Sequence, residues 1–157
     1  MGQSVSLNQG NFAIIQNDVA KIFVLNNRYD SGLFDEPDGS GEFTLAQGQL
    51  LGRIAASNKL KICSAVATDG SQYPIGVVAS QVTMAESATD VTVNFCHAGD
   101  VVQSKVLLSG SETMASTVTV IASGPLATDY DRTLKDLIQA SGIKLVGGDE
   151  LTGADNE

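Results

Sequence analysis

The amino-acid sequence predicts a mainly β fold with one helix in its C-terminal region. Three apolar segments rich in β-branched residues, 60–66, 75–82 and 91–95, are separated by two polar turns. The first turn contains Asp69-Gly70, a dipeptide that tolerates positive φ and reverses strands. Pro74 then fixes an extended entry to the next segment, because its ring restricts φ. Strand, turn, strand, turn, strand at this spacing is typical of a β-meander.

Apolar segments on both sides of the meander predict further strands. These segments are residues 21–25, 43–56, 100–108, 117–121 and 143–146. In the second of them, Gly48 and Gly52 flank a short apolar run, which predicts a turn on one side and a bend or bulge on the other.

One helix is predicted, over residues 129–141. Its apolar residues fall at i, i+3 and i+4 and form one stripe, which consists of Leu134, Leu137 and Ile138. Gly142 is a suitable left-handed stop for this helix.

The N-terminal residues 1–10 are polar and uncharged. They are interpreted either as a disordered terminus or as an arm that adds a strand to the edge of a partner's sheet. Val5 and Leu7 would share one face of such a strand, because side chains alternate along it.

Residues 26–42 are dense in Gly, Asp, Asn, Ser and Pro, and a long loop is predicted there. Leu33 and Phe34, at the middle of this segment, would either anchor the loop to the domain or insert into a partner surface. Its carboxylates lack the ligand spacing of an EF-hand, so no metal site is predicted.

At 157 residues, the chain is predicted to form one domain with flexible ends. We divide it into an N-terminal arm, residues 1–12, a β-rich domain, residues 13–146, and an acidic flexible tail, residues 147–157. The tail contains Gly and lacks an apolar face, which is typical of disorder.

The charge balance argues against a nucleic-acid partner. The net charge is −9, and the nine basic residues are scattered singly, whereas phosphate binding requires clustered Lys and Arg. No apolar run approaches about 18 residues, so no transmembrane helix is predicted. The N-terminus lacks the pattern of a signal peptide, so we expect synthesis and use in the cytosol.

The chemistry-bearing residues do not predict an enzyme. Cys63 and Cys96 lie in apolar segments and are predicted to be buried thiols. A disulfide between Cys63 and Cys96 is geometrically possible if their strands are neighbours, although a reducing cytosol disfavours it. His97 directly follows Cys96, and on a strand the two side chains point to opposite faces. No nucleophile, metal or phosphate-binding motif occurs, so no catalytic residue and no cofactor are predicted.

The meander and its flanks resemble a known family, and the resemblance covers about residues 43–146. It is carried by Leu50-Leu51-Gly52-Arg53-Ile54, by Lys59-Leu60-Lys61, by the segment DGSQYPIGVVA at 69–79, and by the sequence ASGIKLV at 140–146. These residues resemble the head decoration proteins of tailed bacteriophages, the lambda-type capsid-stabilising proteins. The segment at 69–79 is the most specific part.

The resemblance implies a compact, barrel-like β fold with little helix, assembled as a homotrimer. Such trimers sit on the outer capsid surface of the virion at local threefold axes, after synthesis in the host bacterial cytoplasm. An N-terminal arm pairs with the major capsid protein and stabilises the expanded head against DNA pressure. The resemblance implies neither a nucleic-acid nor a membrane partner. The N-terminal portion, residues 1–42, is longer than in the lambda-type pattern.

Two sets of residues are predicted to bind the capsid. The arm contacts are Ser4, Val5, Ser6, Leu7 and Phe12, and the secondary contacts are Leu33 and Phe34. One alternative function is that of another virion β-domain, from a tail or baseplate, because such domains have a similar composition and also form trimers. The other is a small carbohydrate- or ligand-binding β-module, which would require exposed aromatics around a pocket.

Overall fold

The computed structural model describes residues 22–35, 41–85, 91–121 and 128–147. These ranges form ten strands, a 3₁₀ turn at Gln103–Lys105 and one α-helix. The strands are Arg28–Phe34 (β1), Phe43–Leu45 (β2), Leu50–Arg53 (β3), Leu60–Ile62 (β4), Pro74–Val78 (β5), Val82–Met84 (β6), Val91–Val102 (β7), Thr117–Val120 (β8), Tyr130–Thr133 (β9) and Ile143–Val146 (β10), and the helix is Leu134–Ala140 (α1).

Five strands close into a barrel in the order β1-β4-β3-β5-β7, because β7 also pairs with β1. The β1–β7 pairing is antiparallel and runs from Arg28 opposite Ala98 to Phe34 opposite Val91. The β1–β4 contact is parallel, with Phe34 opposite Leu60. β10 extends the sheet beyond β7 in parallel. The prediction of a mainly β, barrel-like fold with one helix in the C-terminal region is confirmed.

The strand order differs from a simple meander, because β3 lies between β4 and β5. The turn that follows β4 crosses the end of β3 instead of closing a hairpin, and the backbone N of Ala55 donates to the carbonyl of Asp69 (2.8 Å). The register between β3 and β5 shifts at Leu51 and Gly52, which confirms the predicted irregularity at Gly52. β6 leaves the barrel and pairs with β2.

The predicted loop over residues 26–42 is wrong for its central part, because Arg28–Phe34 forms β1. The Asp, Ser and Gly residues of this segment do not favour a strand locally. Pairing with the long strand β7 supplies the backbone hydrogen bonds that stabilise one. The predicted strand at residues 21–25 is reduced in the described part to an isolated bridge, in which Phe23 lies opposite Val101.

β7 is one strand of 12 residues, where the sequence predicted two separate strands in residues 91–95 and 100–108. Gly99 lies within it at φ +117°, so the strand accommodates a local irregularity without ending. His97 is therefore within a strand and not at its end. β7 pairs with β1, β5 and β10, which makes it the central strand of the molecule.

The helix starts later than predicted, at Leu134 instead of residue 129, because Tyr130–Thr133 pairs with β8 as strand β9. The predicted apolar stripe is confirmed, since all three of its residues are buried. Gly142 has φ +107°, as expected for a left-handed stop after the helix. No helix in the described ranges is long and apolar enough to span a membrane.

The core consists of two groups of buried side chains. One fills the barrel beneath β2 and β6 and contains Phe34, Leu45, Leu51, Leu60, Val78, Met84, Val93 and Phe95. The other lies between the sheet and the helix and contains Ile22, Phe23, Leu50, Cys63, Val77, Cys96, Val101, Val106, Val118, Leu134, Leu137, Ile138 and Ile143. Apolar burial of this kind is the main favourable contribution to folding.

Candidate interaction surfaces

The turn at residues 69–72 is part of the framework of the fold. One carboxylate oxygen of Asp69 accepts hydrogen bonds from the backbone N of Ser71 (3.0 Å) and from its hydroxyl (2.6 Å). The other oxygen contacts the Nζ of Lys61 at 2.9 Å. Hydrogen bonds from Ser71, and then from Lys61, hold the pKa of Asp69 well below its usual range. Because Ser71 is fully buried, this turn braces β3 and offers little surface to a partner.

The two cysteines are free and buried, which confirms the prediction of buried thiols. Burial, together with the nearby carboxylate of Glu112, raises the pKa of the Cys63 thiol to about 12. Burial also raises the pKa of Cys96. A thiol with a raised pKa is a poor nucleophile at neutral pH. Within the described ranges, no group of three or more His, Cys, Asp or Glu residues could hold a metal ion.

The described chain begins with a segment that is fixed to the end of β7. The backbone N of Val102 donates to the carbonyl of Ile22 (2.8 Å), and the N of Val24 donates to the carbonyl of Asp100 (2.9 Å). Phe23 is only 2% exposed. The described chain therefore begins beside Val102. All five predicted arm contacts lie outside the described residues.

The two predicted secondary contacts are separated by the alternation of side chains along β1. The side chain of Leu33 is 50% exposed, whereas that of Phe34 is 1% exposed and belongs to the barrel core. Of the pair, Leu33 is the side chain that a partner can reach.

Leu33 belongs to a surface that we call the β1 face. It consists of Tyr29, Ser31 and Leu33 on β1 and of Thr92 and Asn94 on β7, all of them exposed. Leu33 is opposite Thr92, and Ser31 is opposite Asn94. Tyr29 is 49% exposed, and its ring packs edge-on against Phe23 with 5.7 Å between centroids. The face is therefore an exposed sheet surface that carries Tyr29 and Leu33, and Tyr29, Ser31 and Asn94 also line a hollow of about 520 Å³ together with Asp30.

A second surface, which we call the β8 groove, has a volume of about 400 Å³. Its walls are formed by Ala65, Val66, Ala67, Thr68 and Gln72 on one side and by Thr117, Val118, Thr119, Ile121 and Asp129 on the other. Val66 is 85% exposed and Ile121 is 72% exposed. Among the described strands, β8 pairs with β9 alone.

Sequence reasoning missed the β8 groove, because its two walls lie about fifty residues apart in the chain. The sequence feature that could have indicated this groove is the presence of two isolated apolar residues, Val66 and Ile121, next to polar loop residues.

A family model described as bacteriophage lambda head decoration protein D matches residues 39–127. The matched span contains β2 to β8 and the segment at residues 69–79, the most specific part of the resemblance. The segment before residue 39, which includes β1, and the helix with β10 lie outside the match. No curated protein matches the chain.

Proposed function

Because this chain belongs to the bacteriophage lambda head decoration protein D family, it is a structural protein of the phage capsid, and we propose that it stabilises the expanded head as a trimer bound to the outer surface. In this proposal, it resists the internal pressure of packaged DNA. The observation that carries the proposal is the family match, which covers more than half of the chain.

We assign the capsid contact to the arm, residues 1–12, with the major capsid protein as its partner. The segment Ser4-Val5-Ser6-Leu7 alternates polar and apolar residues and carries no charge. Such a segment can add a strand to an open sheet edge, where main-chain hydrogen bonds give affinity and alternate side chains give specificity.

The position of residues 22–25, where the described chain begins, supports a mechanical role. Residues 22–25 pair antiparallel with residues 100–102, through hydrogen bonds that include Asp100 N to Leu25 O (2.9 Å). A force applied to the start of the described chain would therefore pass into β7, the strand that pairs with β1, β5 and β10. In a trimer, three arms would act together, and linkage of this kind can raise the overall affinity by about 10²–10⁴.

A pair of matched double variants tests the arm. Val5→Ser with Leu7→Ser removes its apolar face, whereas Ser4→Ala with Ser6→Ala changes the opposite face. Expanded, undecorated heads are incubated with each protein and sedimented, and their heat resistance is then measured. We expect the first variant to lose head binding and the second to bind and protect as the wild type does.

Equal binding by both double variants would remove the arm assignment. A wild-type trimer that ignores expanded heads but binds tail components would instead support a tail or baseplate domain.

A further inference from the structure

An open hollow lies where β1, β7 and the end of β5 meet. Ser31 on β1 lies opposite Asn94 on β7, and the backbone N of Ala79, directly after β5, donates to the carbonyl of Asn94 (2.9 Å). The sheet therefore fixes the position of the hollow, which we call the β1 hollow. Its volume is about 520 Å³, and it is lined by Tyr29, Asp30, Ser31, Ala79, Ser80 and Asn94.

Asp30 is the charged residue among these six, so the β1 hollow is negative. One of its carboxylate oxygens accepts a hydrogen bond from the backbone N of Ser31 (2.8 Å), which keeps the carboxylate beside the hollow, and Asp30 is exposed. Within the described ranges, no ion pair includes Asp30. Arg28, the nearest basic residue along β1, does not line the hollow. The hollow thus offers a carboxylate to a cation from outside the described chain.

The other side chains of the β1 hollow suit a guanidinium group. The two serine hydroxyls and the amide oxygen of Asn94 can all accept hydrogen bonds. A guanidinium group carries five N–H donors in one plane and stacks on aromatic rings. Tyr29 supplies such a ring, because it is 49% exposed and is held edge-on against Phe23, with 5.7 Å between centroids. The hollow therefore combines a carboxylate, neutral acceptors and an aromatic ring.

We propose that the β1 hollow binds an arginine side chain on the surface of a protein partner. The guanidinium group pairs with the carboxylate of Asp30, donates to Asn94 and lies against the ring of Tyr29. A lysine ammonium group is a compact and strongly hydrated charge, so it makes fewer of these contacts. The inference goes beyond the capsid role proposed above and does not depend on it.

Two features favour a protein partner over a free amino acid. The net charge of −9 attracts a basic protein surface. Leu33, which is 50% exposed, lies two residues from Ser31 on the same side of β1. An apolar residue beside the arginine can contact Leu33, and a free amino acid has no such neighbour. Tyrosine and arginine are also enriched in the cores of protein interfaces.

Blocked amino acids test the β1 hollow on the full-length protein by ¹H–¹⁵N NMR titration. N-acetylargininamide imitates an arginine within a chain, and N-acetylcitrullinamide has nearly the same shape but no charge. We expect the arginine probe to shift the amide signals of residues 29–31, 79–80 and 94. The citrulline probe should bind about tenfold more weakly, because it cannot make a charge-assisted hydrogen bond to Asp30. N-acetyllysinamide should also bind more weakly than the arginine probe.

Variants identify the groups that bind the probe. Asp30→Asn keeps the size of the side chain and removes its charge, so it should abolish the preference for arginine over citrulline. Asp131→Asn is the matched control, because Asp131 lies outside the hollow on β9, where it accepts a hydrogen bond from the Thr119 hydroxyl (2.7 Å). It should keep the full preference. Tyr29→Phe should bind nearly as the wild type does, whereas Tyr29→Leu should bind about two- to fivefold more weakly.

A blocked tripeptide with leucine on both sides of arginine tests the protein source. It should bind several-fold more tightly than the single blocked arginine, and Leu33→Ser should remove that gain. A tripeptide that binds no better than free L-arginine would overturn the choice of a protein partner.

The inference is overturned if the arginine and citrulline probes bind equally, if Asp30→Asn keeps the preference for arginine, or if the shifted signals lie outside the β1 hollow. None of these titrations requires phage heads, so their outcome is separate from that of the head-binding test. A protein that binds the arginine probe in the hollow but ignores expanded heads would support this inference and contradict the proposed function.

Discussion

At the scale of single residues, the contact between Gly52 and Ser71 shows why the turn at residues 69–72 tolerates so little change. A Cβ atom on Gly52 would lie 2.7 Å from the carbonyl carbon of Ser71 and 2.8 Å from its Cα. Both neighbours are backbone atoms, and Ser71 is fully buried. The turn could make room only by moving away from β3, the strand that it braces.

Gly52→Ala should therefore be strongly destabilising. We expect a loss of about 3 kcal/mol in the free energy of unfolding, at the upper end of the usual cost of overpacking, measured by urea denaturation. Gly110→Ala is the control, because no atom lies within 4 Å of its added methyl group and its φ of +54° should cost only about 1 kcal/mol. Equal losses for the two variants would contradict the steric explanation.

Asp69 should make the free energy of unfolding depend on pH in the acidic range. Its pKa is depressed in the folded state, so its contribution is present above the unfolded value of about 3.9 and is lost as the pH falls towards the folded value. Asp69→Asn should cost about 1 kcal/mol at pH 7, a value kept low because the side chain is 35% exposed.

The test is the free energy of unfolding measured from pH 7 downwards. Below about pH 5, the curve of Asp69→Asn should fall less steeply than that of the wild type. Asp30→Asn is the control, because Asp30 accepts a local hydrogen bond from Ser31 N (2.8 Å) on an exposed strand. An Asp69→Asn curve parallel to the wild type would show that the carboxylate is not responsible.

At the scale of secondary-structure elements, α1 depends on a cap that the sequence pattern did not locate. Thr133 Oγ1 accepts a hydrogen bond from the backbone N of Asp136 (3.1 Å), and its hydroxyl lies 2.8 Å from the Asp136 carboxylate. Thr133→Ala should lower the stability by about 1 kcal/mol, the usual cost of losing an N-cap side chain. Thr133→Ser, which retains the hydroxyl, should cost much less in the same thermal and urea measurements.

The strands that the sequence predicted correctly are those with apolar, β-branched residues, such as β5 and β8. β1 was missed because its residues form a strand only when β7 supplies the partner, which is a long-range contact. The start of α1 was misplaced for a related reason, since the pairing of β9 with β8 takes residues 130–133 out of the helix. The buried stripe of α1 was predictable because helical periodicity is a local property of the sequence.

At the scale of the whole molecule, the interaction surfaces were less predictable than the fold. The alternation around Val5 and Leu7 is visible in the sequence, and it remains the basis for the proposed arm. The β1 face and the β8 groove each combine residues from distant parts of the chain, such as Leu33 with Asn94 and Val66 with Ile121. Only the tertiary fold brings these residues together.

The predicted boundary between the arm, residues 1–12, and the domain gives the last prediction. Deleting residues 1–12 should change the free energy of unfolding by less than about 0.5 kcal/mol and should abolish head binding. Phe23→Ala should instead cost about 3–5 kcal/mol, as expected for a buried aromatic side chain, since Phe23 packs against Tyr29 and bridges to Val101. Urea denaturation and head sedimentation of both proteins provide the test. A deletion that unfolds the barrel would assign part of residues 1–12 to the domain, and a mild effect of Phe23→Ala would move the boundary towards β1.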